Sequence, residues 1–367
     1  MQRALDLARQ ALWLTSPNPR VGCVITAADG TLLGQGHTQR AGGPHAEIMA
    51  LRDAAERGQS VQGATAWVTL EPCAHQGRTG PCCDALATAG IGRVVAAMTD
   101  PNPLVAGQGM ARLAAANVQT ETLSPDSDIA RQARELNVGF FNRMEHGLPW
   151  VRLKVAASLD GQTALQNGQS QWITGPQARA DGHAWRARAC AILTGIGTVL
   201  EDDPQLNVRG LEVPRQPHLV VVDSRLDMPL TAKLLDTQGA GEQARQIWVY
   251  TATPDQADKR AALTARGVTV IDCPGASGKV DLSAMLRDLA QRQINELHVE
   301  AGHKLNGSFI REGLVDEFLV YLAPQLLGPG QGMAHLPALT ALSDSVKLAF
   351  HDAQRIGPDL RLLLRRA

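Results

Sequence analysis

The chain has 367 residues, of which 44% are hydrophobic and 19% are charged, and its net charge is −1. This length suits two domains that each bury a core, and the balanced charge argues against nucleic acid as the main partner, because phosphate-binding surfaces carry a basic excess. No segment approaches the roughly 20 apolar residues of a membrane-spanning helix, and the six scattered cysteines are too few for a disulfide framework, so we expect a cytoplasmic protein without a membrane or nucleic-acid partner.

Helical and strand-like patterns alternate from the start of the chain to Asn137. An apolar repeat between Leu5 and Trp13 predicts a helix that ends before Pro17, because the proline ring fixes the backbone and removes a donor. The next elements are predicted as strands at 21–26, 32–37, 64–70 and 93–98, with a helix that begins after His45. This alternation predicts a three-layer α/β/α domain.

Four residues of this first domain carry a recognisable chemistry. His45 and Glu47 lie at the predicted start of a helix, Cys73 follows the strand at 64–70, and Cys82 begins the next helix. A histidine, a glutamate two residues later and two cysteines after a Glu-Pro step are the ligands and the acid/base group of a zinc deaminase. Three protein ligands leave the fourth zinc position for a water molecule, which the metal activates near neutral pH. Alternatively, Glu47 only complements the helix dipole.

Eight residues separate Cys73 from Cys82, whereas two residues are usual in zinc deaminases. With this loop, the segments 17–22, 44–47 and 71–79 closely resemble the deaminase half of the bifunctional riboflavin-biosynthesis deaminase/reductase family. The resemblance implies that Cys82 is the ligand, a choice that spacing alone leaves open against Cys83. It also implies that Asn18, otherwise a turn former, contacts the substrate pyrimidine. His75 and Arg78 in the loop are either ordinary polar residues or contacts to the substrate or its ribose phosphate.

A polar segment with glycine and proline at 143–149 is the best candidate for a boundary, and it predicts domains at 1–145 and 146–367. The second domain begins with an alternating segment at 151–156, which predicts a strand with one solvent-facing side. Its further elements are predicted as a turn at 158–161, a helix at 176–188, strands at 189–194 and 297–300, and a helix at 303–311 that ends before Gly313. We therefore expect a second α/β domain.

No Gly-x-Gly-x-x-Gly fingerprint of a Rossmann fold follows any predicted strand, and Gly195 and Gly197 are only a weak echo of it. A glycine at a strand-to-helix turn nevertheless exposes backbone donors to an anion, so a cofactor phosphate can bind from Gly302 to Ser308. A plain tight turn is the alternative.

The segments 170–174, 195–198, 201–206, 222–225 and 300–302 resemble the reductase half of the same family. The resemblance implies a dihydrofolate-reductase-like α/β fold after the cytidine-deaminase-like first domain, and NADPH as the cofactor. The implied cofactor contacts are Ala156, Trp172, Thr198, Asp202, Ser224, Gly302, His303, Lys304, Leu305, Asn306, Gly307 and Ser308. The implied substrate contacts are Ser170, Arg186, Leu206, Arg209 and Glu300.

Within this set, Arg186 and Arg209 suit a sugar phosphate, because a guanidinium group pairs with phosphate oxygens in a bidentate way. Either arginine alone is more often a solvated surface charge. Lys154 and Glu300 are the candidate proton donors of the reduction, and the sequence does not choose between them or exclude water.

The expected protein is thus a zinc- and NADPH-dependent enzyme. It would deaminate a diaminopyrimidinone ribosyl phosphate and then reduce the ribosyl side chain to ribityl. The family resemblance also implies a homodimer formed through the second domain. Two alternatives are a nucleic-acid base deaminase with an accessory domain, for which a basic, aromatic-rich second half would be expected, and a non-catalytic protein with structural zinc, for which four protein ligands would be expected.

Overall fold

The computed structural model describes residues 1–74, 80–103, 105–237 and 244–367. These residues form two compact units, Met1–Gly147 and Leu148–Ala367. Among the described residues, no helix combines the length and the apolar character needed to cross a bilayer.

The first unit is built on a five-stranded sheet in the order β2-β1-β3-β4-β5. Its strands are β1 (Gly22–Thr26), β2 (Leu32–His37), β3 (Thr65–Val68), β4 (Arg93–Ala96) and β5 (Gln119–Thr122). Its helices are α1 (Gln2–Gln10), α2 (Ala46–Glu56), α3 (Cys82–Thr88), α4 (Gln108–Ala115), α5 (Asp128–Leu136) and α6 (Val138–His146). The hairpin β1–β2 is antiparallel, whereas β3, β4 and β5 run parallel to one another, so the loops after these three strands begin at the same edge of the sheet.

The second unit contains a nine-stranded sheet in the order β11-β10-β9-β8-β12-β6-β13-β16-β15, and a two-stranded sheet of β7 and β14. Its strands are β6 (Trp150–Ser158), β7 (Gln162–Leu165), β8 (Ala191–Gly195), β9 (His218–Val222), β10 (Ile247–Thr251), β11 (Val268–Asp272), β12 (Glu296–Val299), β13 (Glu317–Ala323), β14 (Gly330–Gly332), β15 (Leu348–Ile356) and β16 (Asp359–Arg366). Its helices are α7 (Pro176–Arg188), α8 (Ile196–Asp202), α9 (Ala257–Ala265), α10 (Leu282–Gln291) and α11 (His303–Arg311).

Both faces of the central strands of the large sheet are covered. Leu193 belongs to one apolar cluster and its neighbour Ile192 to another, as expected when successive side chains point to opposite faces of a buried parallel strand. Each fully buried side chain of this size contributes about 1.5–3 kcal/mol. Strands such as β9, which is rich in valine, therefore lie inside the sheet rather than at its edge.

The expectation of a solvent-facing side for the strand at 151–156 was wrong. Strand β6 pairs with β12 on one side and with β13 on the other, and the side chain of Arg152 is only 1% exposed. Its guanidinium lies 3.0 Å from Glu296 and 2.5 Å from Glu317. Alternation of polar and apolar residues here reflects a buried ion-pair network, because neighbouring strands supply the counter-charges.

The polar connector expected at 143–149 is shorter in the structure. Helix α6 continues to His146 and ends at Gly147, whose φ is +67°. Glycine accepts this left-handed conformation without strain, which makes it a common residue just after a helix. The basic residues Arg143 and His146 belong to the last turn, where positive charge complements the helix dipole.

Candidate functional site

Three elements of the first unit bring an imidazole and two thiols together. Helix α2 begins directly after His45, Cys73 follows the end of β3, and α3 begins at Cys82. The Nδ1 atom of His45 lies 3.6 Å from the Cys73 sulfur and 3.3 Å from the Cys82 sulfur. The backbone N–H of Cys82 donates to the Cys73 sulfur at 3.4 Å. All three candidate ligand atoms lie within 4.8 Å of one another.

This donor set fits a zinc ion. Zinc binds imidazole nitrogen and thiolate sulfur together, and three protein ligands are typical of a catalytic site. A hydrogen bond from the Cys82 thiol, followed by one from His45, lowers the pKa of Cys73, which favours the thiolate form that binds metals. The neighbouring thiol of Cys83 is directed to Asp84 at 3.6 Å and is outside the group.

Glu47 lies beside this group in the first turn of α2 and is 3% exposed. Burial, followed by the charge of Cys73, raises the pKa of Glu47 to about 7. A carboxyl group with such a pKa can both accept and donate a proton near neutral pH. A helix-dipole role alone would not require this depth of burial.

Asn18 lies in the turn between α1 and β1, where its backbone N–H donates to the carbonyl of Thr15 at 2.8 Å. The proposed contact of Asn18 with a pyrimidine stays a prediction. His75 and Arg78 lie outside the described residues.

In the second unit, several expected cofactor contacts follow the ends of neighbouring parallel strands. Strands β9, β8, β12 and β6 are parallel, so their carboxyl ends meet at one edge, where α/β sheets usually bind ligands. Ser224 follows β9, Thr198 lies in α8 after β8, and Ala156 lies in β6. The segment 302–308 opens α11 after β12, and a Cβ placed on Gly302 would lie 3.9 Å from the Thr198 hydroxyl.

Three other expected contacts, Trp172, Ser170 and Asp202, lie outside the strand ends and outside the start of α11. Trp172 is 68% exposed, and its ring lies 4.5 Å from the guanidinium of Arg179. Ser170 belongs to the same segment before α7, and Asp202 is the exposed last residue of α8. Their roles stay predictions.

Glu300 is the centre of a charged cluster at the end of β12. Arg186 on α7 binds its carboxylate in a bidentate way, through Nε at 2.5 Å and a terminal nitrogen at 2.8 Å. The Nε2 atom of His298 lies 3.3 Å away and the ammonium of Lys154 4.0 Å away. Although burial opposes ionisation most strongly, the charge of Arg186 and its hydrogen bonds hold the pKa of Glu300 well below its usual range.

Arg186 and Arg209 meet at Asn207. A terminal nitrogen of Arg186 donates to the Asn207 carbonyl at 3.1 Å, and one of Arg209 donates to the Asn207 side-chain oxygen at 2.6 Å. The preceding residue, Leu206, is buried with a φ of +48°, a conformation that is uncommon for leucine. Asn207 therefore binds two guanidinium groups, of which Arg186 also pairs with Glu300, and such a pair of arginines suits a phosphate.

Sequence reasoning missed His183, which belongs to the same cluster. It lies three residues before Arg186 on α7, and its Nδ1 accepts the backbone N–H of Arg209 at 3.2 Å. Burial, followed by the charges of Arg186 and Arg209, lowers the pKa of His183 to about 4. The spacing of three residues on a predicted helix was the available signal, since such residues share a face.

Two family models match the chain. Residues 1–98 match the family described as cytidine and deoxycytidylate deaminase zinc-binding region. Residues 149–362 match the RibD C-terminal domain.

Individual relatives match the whole chain. Riboflavin biosynthesis protein RibD of Escherichia coli K12 is 44% identical over 99% of this chain and 98% of its own length. The solved structure of Acinetobacter baumannii RibD, form 1, has a TM-score of 0.88 and 42% identity, and the alignment covers 100% of this chain and 97% of that one. A Thermotoga maritima diaminohydroxyphosphoribosylaminopyrimidine deaminase/5-amino-6-(5-phosphoribosylamino)uracil reductase has a TM-score of 0.85 at 29% identity, with coverage of 100% and 97%.

Fold and site thus define an enzyme in which a zinc-binding, cytidine-deaminase-like domain is joined to a reductase domain. The matched domains imply zinc and a nicotinamide cofactor. The chain belongs to the RibD family of riboflavin biosynthesis proteins, and it is a bifunctional deaminase and reductase. The predicted fold classes of both domains are confirmed by these matches.

Proposed function

We propose that residues 1–145 deaminate 2,5-diamino-6-(ribosylamino)pyrimidinone 5′-phosphate by hydrolysis, and that residues 146–367 use NADPH to reduce the ribosyl side chain of the product to ribityl. One observation carries the proposal. A single chain holds a partly buried His-Cys-Cys group beside the buried Glu47 and, in its other unit, a carboxylate surrounded by Arg186 and Lys154. The name of the Thermotoga maritima relative states the same pair of activities.

In the deaminase domain, His45, Cys73 and Cys82 would hold the metal. Zinc bound there supplies the Lewis acidity that makes water a nucleophile near neutral pH. Glu47 acts as the proton carrier: it takes up a proton as oxygen attacks the ring carbon that bears the amine, and it returns the proton to the departing nitrogen. The ring gains a carbonyl oxygen from water, and ammonia leaves.

In the reductase domain, the electrostatics favour Lys154 over Glu300 as the proton donor. The bidentate contact with Arg186 keeps Glu300 in its carboxylate form, so that Glu300 accepts hydrogen bonds from sugar hydroxyls instead. Burial lowers the pKa of Lys154 against the attraction of Glu300, and its side chain is still 24% exposed. Lys154 can therefore deliver a proton to the ring oxygen as the ribose opens.

Bound NADPH supplies the hydride that reduces the first carbon of the opened sugar. The exposed start of α11 provides backbone N–H groups for a phosphate of the cofactor, while Arg186 and Arg209 bind the phosphate of the substrate. The choice of NADPH rather than NADH rests on the family resemblance.

A homodimer formed through the second unit is also proposed from that resemblance. A cytoplasmic location is proposed from the six scattered cysteines, which are too few for a disulfide framework. Edge strand β15 supports the dimer, because it exposes 70% of Phe350 and an edge strand with exposed apolar side chains is a surface that another chain can cover. Light scattering of the purified protein gives the oligomeric state directly.

The decisive experiment supplies the diaminopyrimidinone ribosyl phosphate to the zinc-loaded chain, with and without NADPH, and follows ammonia together with nicotinamide absorbance. We expect ammonia in both samples and NADPH oxidation only after ammonia release has begun. NADPH oxidation without prior ammonia release would contradict the proposed order of the two reactions.

A further inference from the structure

The side chain of Glu71 accepts hydrogen bonds from four backbone N–H groups. One carboxylate oxygen accepts from Asp100 at 3.2 Å and from Gly107 at 2.9 Å, and the other accepts from Gly109 at 2.9 Å and from Met110 at 3.2 Å. Glu71 itself is 3% exposed. All the donors lie 29 to 39 residues further along the chain, so the contact joins two distant segments.

These two segments are the turn after β3 that carries Cys73, and the loop before α4 together with the first turn of α4. Glu71 lies two residues before Cys73, one of the three candidate zinc ligands. Its backbone N–H donates to the Met98 carbonyl at 2.9 Å, which continues the pairing of β3 with β4. The loop after β4 is therefore attached to the turn that carries Cys73.

Two further contacts tighten the same junction. A Cβ on Gly109 would lie 1.9 Å from the Pro72 carbonyl oxygen, so the start of α4 touches the backbone just before Cys73. Arg112 on α4 donates to the carbonyl of Ala74 at 3.2 Å and to Asp84 on α3 at 2.7 Å. The backbone on both sides of Cys73 is thus held by α4, and Glu71 provides four of the hydrogen bonds.

We propose that Glu71 is a positioning residue for zinc. Through its hydrogen bonds with four backbone N–H groups, it holds the backbone of Cys73 at the distance from His45 and Cys82 that the metal requires. The inference rests on the proposed zinc site. Groups that orient the first ligands of a metal usually change its affinity about 10- to 100-fold when they are replaced. A purely structural role would lower the stability of the domain and leave the affinity for zinc unchanged.

The substitution Glu71→Gln tests this role with little change of shape. A glutamine side chain keeps one oxygen acceptor, and its NH₂ group, which has no lone pair to offer, faces two of the four backbone donors. We expect the affinity of the full-length chain for Zn²⁺, measured by competition with a chromogenic chelator at one fixed pH, to fall about 10- to 100-fold. Glu71→Ala, which removes both acceptors, should lower the affinity at least as much.

Asp53→Asn is the matched control, because Asp53 also accepts a backbone N–H, that of Gln35 at 2.8 Å, in the same unit. It should leave the affinity for zinc unchanged, and NADPH oxidation by the second unit, assayed with the deaminated substrate, should continue in every variant. If the first unit of Glu71→Gln fails to fold, Gly109→Ala decides, since it disturbs the same junction with the carboxylate in place and should also weaken zinc binding.

The outcomes separate this inference from the function on which it rests. If the unsubstituted chain binds no zinc, the proposed deaminase function fails. If it binds zinc and Glu71→Gln binds zinc equally well, with only a lower melting temperature, the positioning role of Glu71 is refuted while the proposed function survives.

Discussion

The two units differ in how the charged groups of their sites are balanced. In the first, Glu47 and the thiols of Cys73 and Cys82 lie around one imidazole, and a bound cation would complete the group. In the second, Glu300 already has its counter-charges in Arg186 and Lys154. Because an isolated buried charge is costly, the first arrangement fits a site that acquires a metal, and the second fits a site that carries its own positive charge for a phosphate.

The largest effect expected in this comparison is that of Glu47→Gln. Glutamine cannot carry a proton between water and the leaving amine, and general acid–base catalysis typically contributes about 10²- to 10⁴-fold. Ammonia release should fall by that factor, while zinc content, measured by atomic absorption, stays stoichiometric. NADPH oxidation with the deaminated substrate serves as the control, and unchanged ammonia release would remove Glu47 from the proton transfer.

The adjacent cysteines provide a second test, because Cys82 belongs to the metal group and Cys83 is directed to Asp84. Cys82→Ser removes a ligand of the metal. It should weaken zinc binding by more than the ~10- to 100-fold that is typical when a residue that only orients a ligand is replaced. Cys83→Ser is the matched control and should retain zinc. The reverse pattern in a metal analysis would show that the ligand is Cys83.

Arg186→Ala tests the second kind of site. It leaves the Glu300 carboxylate buried without its bidentate partner, and breaking a buried pair in this way costs about 3–5 kcal/mol. We expect a lower melting temperature of the second unit and a KM for the ribosyl phosphate raised about 10-fold or more, because a charge-assisted contact to phosphate is lost. The rate of ammonia release is the control, and an equal fall in deamination would show that the two sites depend on each other.

Local patterns indicated most of the first site. His45 marks a helix start and Cys73 follows a strand end, so residue type and position together indicate two ligands of the metal group. The choice of Cys82 over Cys83 as the third ligand came from the family resemblance. Helix α11 was also predicted with the bounds that the structure shows, His303–Arg311. These features depend on residues close in the sequence, and hydrophobic periodicity describes such local order well.

Features that depend on the order of strands could not be predicted in the same way. Arg152 is buried because β12 and β13 lie on either side of β6 and contribute Glu296 and Glu317, and this pairing is not written in any local pattern. The four backbone amides around Glu71 likewise lie far along the chain, in the loop before α4 and in the first turn of α4. The expected contacts of the reductase site came from the family resemblance, since its residues follow several different strands.

The smallest expected effect concerns two histidines, one in each unit, whose pKa values are shifted in opposite directions. In the first unit, a hydrogen bond to Cys73 raises the pKa of His45. In the second, burial, followed by the charges of Arg215 and Arg245, lowers the pKa of His218 to about 4. The Nδ1 atom of His218 accepts the backbone N–H of Gln246 at 3.0 Å, a bond that the neutral ring can make.

His218 should therefore make the second unit less stable in mild acid. The pKa of His218 in the unfolded chain is about 6.5. As the pH falls below this value, the unfolded chain binds a proton that the folded chain does not bind until the pH nears 4, so stability declines across this interval.

The substitution His218→Asn keeps an acceptor for Gln246 and removes this titration. When the pH is lowered from 7 to 5, the free energy of unfolding should fall in both proteins. The fall should be smaller in the variant than in the unsubstituted chain, by up to about 2 kcal/mol. Urea titrations at both pH values measure this difference. His351→Asn, at an exposed position of the same unit, is the control, and equal losses in all three proteins would refute the suppressed protonation of His218.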